Sequence, residues 1–139
     1  MKTITPDLIK FAVVITILTI LFRFFLSSGI DNHLNYQIIL SAIIYGFGMF
    51  ASGWYFGKND GEYLPIHDVG FRFHFTTYLI HNSVSILWFY LGYNSQKENI
   101  GLTYTIAMIW GSIVFIHLLS FLWARRKSIN DLNKEDLFE

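Results

Sequence analysis

Four runs of apolar residues divide the chain, each near the ~20 residues that a helix needs to cross the hydrocarbon of a bilayer. They cover Leu8–Ser28, Tyr36–Phe56, Gly70–Gly92 and Gly101–Ala124. Short polar stretches separate them: GIDNH, the longer KNDGEYLPIHDV, and NSQKEN. Gly61 and Pro65 punctuate the second connection as a loop, and Asp68 reads as an N-cap for the helix that follows. The pattern predicts an all-α polytopic membrane protein, a single domain of four transmembrane helices in an up-down antiparallel bundle. The charged residues 125–139 form a tail, as a short surface helix or a disordered segment.

The third run differs from the others. It is long enough to span, yet it carries His74, Thr77, Tyr78, His81, Asn82, Ser83 and Ser85. At about 100° per residue, His74, Tyr78, His81, Asn82 and Ser85 fall within one quadrant of a helix. Lipid satisfies neither imidazole nor amide groups, so this stripe must face protein, trapped water or a ligand. In the fourth run Thr103, Trp110, Val114, His117 and Phe121 share a face. A short linker makes runs three and four an antiparallel hairpin, with His117 near the depth of Tyr78 and one turn from His74.

The first two runs bring other candidates. Arg23 lies inside its span. It either snorkels to the interface with Asp31 as partner, or lines a pore or anion site. Ala42, Gly46, Gly53 and Gly57 give the second run a face of small residues, suited to close helix packing within the monomer or between subunits. Lys2 ahead of the first run raises the question of a secretory signal peptide. The length of the run, the interruption at Arg23 and the lack of a small-x-small cleavage site argue against one.

Composition supports the membrane reading. Of 139 residues 53% are hydrophobic, 19% aromatic and 14% charged, and the mean hydropathy is +0.42. Soluble domains carry roughly 25% charged residues. Cysteine is absent, which excludes disulfides, thiolate metal sites and cysteine nucleophiles. A net charge of zero gives no electrostatic basis for nucleic-acid binding. Lys2, Lys10, Lys58, Arg72, Arg125, Arg126, Lys127 and Lys134 fall on one side of a four-span topology, and of the loop lysines only Lys97 lies opposite. That asymmetry predicts cytoplasmic termini. Trp54, Tyr55, Trp88, Tyr90, Tyr93, Tyr104 and Trp123 sit near the span ends, as interfacial aromatics do.

Phe73-His74, Tyr78 and Asn82 follow an aromatic-His-x-x-x-Tyr-x-x-x-Asn pattern, and Trp110-Gly111 followed by His117 matches Trp-Gly-x-x-x-x-x-His. Together these motifs resemble the two-transmembrane (2TM) domain of Bacteroidetes-type bacteria, over roughly Val69 to Lys127. Ile113 stands where that pattern has a second glycine. The resemblance implies a helical hairpin in a bacterial inner membrane and no particular reaction.

Three roles suit His74 and His117: structural bonding across the hairpin, ligation of haem or a metal, or a proton path with His81 and Ser85. A metal site using His67, Asp68 and His74 lacks a fixed ligand motif. No Ser/His/Asp order or phosphate-binding loop is recognisable, so the expectation is a protein that is not an enzyme. The leading function is a membrane module that oligomerises or binds a membrane partner, with no cofactor. The alternatives are an oligomeric pore or channel, including a membrane-disrupting defence effector, and a haem- or metal-binding subunit.

Overall fold

Each apolar run forms one helix, and each helix is longer than its run. The computed structural model describes residues 4–62 and 65–130, without the side chains of 66–67 and 128–130. The helices are α1 (Pro6–Asp31), α2 (Asn35–Gly61), α3 (Ile66–Tyr90) and α4 (Ile100–Asn130). The shortest has 25 residues, about 38 Å at the usual rise. α1, α2 and α4 are long and apolar enough to cross a membrane; α3, of similar length, falls short in apolarity.

The helix ends explain the lengths. Thr5 caps α1 by accepting from the Leu8 amide at 3.1 Å, with Pro6 in the first turn. The same Thr5 hydroxyl donates to Asp60 Oδ2 at 2.6 Å, tying the start of α1 to the end of α2. α1 closes in a Schellman motif: Leu34 N–H donates to Gly29 C=O at 2.8 Å and His33, at φ 57°, occupies the left-handed position. α3 closes in the same way, with Tyr93 N–H on Trp88 C=O at 3.1 Å and Gly92 at φ 72°. The connection between α2 and α3 is much shorter than the sequence suggests, because α2 continues through Lys58, Asn59 and Asp60 to Gly61. Asp68 is not the cap of α3. Pro65 holds that position, and Asp68 accepts from Arg72 one turn on, at 2.8 and 2.7 Å. α4 runs on to Asn130, so the first residues of the charged tail are helical; residues 131–139 lie outside the described residues.

α1 and α3 lie side by side and parallel at the centre. α2 packs on α1 and more lightly on α3, whereas among the described residues α4 packs on α3 alone. Along α1 five of the six buried residues recur every fourth position, Phe11, Ile15, Thr19, Arg23 and Ser27, with Gly29 near the helix end as the sixth. Such rows form the i±4n ridges through which helices interdigitate. Phe11, Ile15, Val69 and Phe73 form the apolar core at one end, with the Phe11 and Phe73 rings 4.6 Å apart. Above it the interior turns polar. The outer surfaces are the reverse, exposing Ile39, Ile43 and Phe47 on α2 and Met108, Ile109 and Ile116 on α4. A polar interior under an apolar surface suits acyl chains as solvent.

Candidate functional site

The α3 stripe serves two different neighbours. Its first half meets α4. Trp110 Nε1–H donates to His74 Nε2 at 2.8 Å, and His74 Nδ1 lies 3.0 Å from His117 Nδ1. His117 is thus level with His74 and in direct contact, rather than a turn away. Tyr78 donates to the Ala107 carbonyl at 3.3 Å and packs edge-on against Trp110. Phe71 lies edge-on to His117 and stacks on Phe121. The hairpin closes this tightly because Gly111 has no side chain: a Cβ there would sit 2.8 Å from Tyr78 Oη.

Indole N–H only donates, so His74 Nε2 is the bare acceptor nitrogen. Neutral His74 then carries its proton on Nδ1 and donates it to His117 Nδ1. That leaves the His117 proton on Nε2. Three rings are therefore joined in one direction, Trp110 to His74 to His117. Both nitrogens of His74 are engaged, so neither offers a free lone pair to haem or a metal. Among the described residues no three His, Cys, Asp or Glu side chains converge as a metal site.

The second half of the stripe faces α1 and α2. His81 Nδ1 meets Tyr45 Oη at 2.8 Å, Tyr45 Oη meets Thr19 Oγ1 at 3.1 Å, and Thr19 donates to the Ile15 carbonyl at 2.7 Å. One assignment makes all three contacts hydrogen bonds: His81 donates to Tyr45, Tyr45 to Thr19, and Thr19 to the backbone. Phe22 stacks on Tyr45 at 4.7 Å. Asn82 bonds the Tyr78 carbonyl of its own helix at 2.7 Å, and Ser85 is buried, 1% exposed. The two histidine clusters approach each other at the Trp110 ring, 5.3 Å from that of His81. An indole cannot accept a proton at nitrogen, so it does not relay one between them.

Arg23 is held by a residue that spacing alone does not single out. Its Nη2 meets Glu98 Oε2 at 2.5 Å, and its guanidinium lies 5.3 Å from the centre of the Phe89 ring. Glu98 belongs to the α3–α4 connection. Its other oxygen accepts from Ser27 Oγ at 2.5 Å and from the Ser95 amide at 3.1 Å, and Trp88 donates to the same Ser27 at 3.1 Å. Asp31, the expected partner of Arg23, instead accepts from Ser95 Oγ at 2.5 Å.

The small residues of α2 divide. Gly53 and Gly57 meet Phe11 and Val69, while Ala42 is exposed and Gly46 has nothing within 4 Å of a would-be Cβ. α2 and α4 do not touch each other among the described residues. Between them runs an open groove of about 1020 Å³, floored by Phe73, His74 and Thr77, with Gly46 and Gly53 on one wall and Trp110 on the other.

Pattern reading of the spans missed Tyr45, Thr19 and Glu98. Mid-span Tyr45 and Thr19 were visible signals, since a hydroxyl at that depth needs a partner. No family model, curated protein or solved structure matches the chain.

Proposed function

We propose that this chain is a non-enzymatic integral membrane module of a bacterial inner membrane, termini cytoplasmic, which assembles with a second copy of itself. The observation that carries the reading is the groove between α2 and α4. In lipid, helices associate through close packing rather than hydrophobic exclusion, and small residues permit that approach. Gly46, Gly53 and Gly57 line the groove, and among the described residues nothing lies within 4 Å of a Cβ built on Gly46. A helix of a second copy seated there would bring its backbone onto α2 and cover Trp110. The likeness of the hairpin motifs to the 2TM domain supports a module of this kind. The basic residues gathered at one end of the bundle support the orientation.

The pore reading has less support, because Arg23 is neutralised by Glu98 and His81 bonds Tyr45, both within one monomer. The haem or metal reading has less support because both nitrogens of His74 are occupied.

The chain has no cysteine, so single cysteines report without background. Gly46→Cys in native membranes is expected to form a disulfide-linked dimer on mild oxidation, since bridging needs Cα atoms within about 7 Å. Ile113→Cys, on the exposed outer side of α4, is expected to remain monomeric. Equal cross-linking at both positions, or none at Gly46, refutes assembly through this face.

A further inference from the structure

Among the described residues two buried side-chain polar atoms, one on α1 and one on α3, have no hydrogen-bond partner: Arg23 Nε and Ser85 Oγ. Both residues are almost wholly buried, at 5% and 1% exposure. The other buried hydroxyls, on Thr19, Ser27, Ser41, Thr77 and Ser95, all have partners. Ser85 does not even bond back to the carbonyl four residues earlier, as Thr77 does to Phe73 at 2.9 Å.

The register of α1 against α3 puts Arg23, whose guanidinium lies over Phe89, and Ser85 at neighbouring depth in the bundle. One step below, Tyr45 joins Thr19 to His81; one step above, Trp88 bonds Ser27. Arg23 stands four residues from both Thr19 and Ser27. Ser85 stands four residues past His81 and three before Trp88. An orphaned buried donor is destabilising, and more so when charged.

We propose that one water molecule is bound at this level as a structural ligand, accepting from Arg23 Nε–H and hydrogen-bonded to Ser85 Oγ. A buried water typically makes about three hydrogen bonds, and its immobilisation costs little entropy beside the bonds it makes. Satisfying two otherwise unpaired groups offsets that cost. The site favours a neutral ligand, because Glu98 already balances the Arg23 charge. Water here extends the hydrogen-bonded cluster of Asp31, Ser95, Glu98 and Ser27 inward to α3, one turn from His81.

The sign of a stability change tests this. If the Ser85 hydroxyl is an orphan, Ser85→Ala removes an unsatisfied group and the full-length protein unfolds no more readily. If it holds water, the same change strips a partner from that water, and the unfolding constant is expected to rise about 5- to 30-fold. A second measurement stands apart from folding yield: nitrogen-15 NMR of arginine-labelled wild-type protein in lipid bilayers, with magnetisation transferred from water. A bound water is expected to give a cross-peak at Arg23 Nε–H, unchanged when gluconate replaces chloride and absent in Ser85→Val. No cross-peak in the wild type overturns the proposal. A cross-peak that depends on chloride also overturns it, in favour of an anion. If Ser85→Ala proves too unstable to purify, the wild-type cross-peak decides alone.

Discussion

Glu98→Gln removes one charge and almost no volume from the buried pair with Arg23. Both side chains are 6% exposed, so little solvent screens the arginine once its counter-charge is gone. Removing one partner of a buried pair costs about 3–5 kcal/mol, chiefly by leaving the other charge unbalanced. The single amide oxygen of glutamine, placed where Oε1 was, still accepts from Ser27 and the Ser95 amide, but its NH2 then meets the Arg23 guanidinium donor to donor. The expected loss is about 3–5 kcal/mol, at least roughly a hundredfold in the unfolding constant. Equilibrium unfolding of the purified protein in mixed micelles measures it. The double variant Arg23→Met with Glu98→Gln removes both charges, keeps the acceptors for Ser27 and Ser95, and is expected to lie within about 2 kcal/mol of wild type. An exposed ion pair contributes about 0–1 kcal/mol. If Glu98→Gln costs no more than that, or the double variant is worse than the single one, the pair is not buried as described.

The remaining predictions concern the hairpin. The Trp110–His74–His117 chain accommodates one proton per imidazole. Trp110→Phe removes the indole donor, leaves His74 Nε2 without its partner and is expected to cost about 1–3 kcal/mol by thermal unfolding. No loss in that variant refutes the proton assignment. Gly111→Ala drives a methyl into Tyr78 Oη and is expected to cost about 1–3 kcal/mol by thermal unfolding. Gly46→Ala, with open space around it, is expected to leave monomer stability unchanged or slightly raised. Equal losses at the two glycines count against the packing described.

Much of the α3–α4 hairpin was legible from spacing alone. His74, Tyr78, Trp110 and His117 were expected to meet, and the structure brings them together because two antiparallel helices joined by a short link must match in depth. The rest of the stripe was not legible in the same way. His81 shares a quadrant with His74, but a quadrant is wide enough to touch two neighbours, and the nearest partner for His81 is Tyr45 on α2. Arg23 read naturally with Asp31, close in sequence. The carboxylate that reaches it is Glu98, some seventy-five positions away.

The amino-acid sequence alone determined that this chain is helical, how many helices it forms and that their outer surfaces are apolar. Those properties follow from local hydropathy and backbone hydrogen bonding, which each segment carries within itself. Tertiary structure decided the long-range partners of Arg23, His74 and His81, the parallel contact of α1 with α3, and the groove left between α2 and α4. Such choices depend on helix rotation and depth, which are settled only when all four helices pack together.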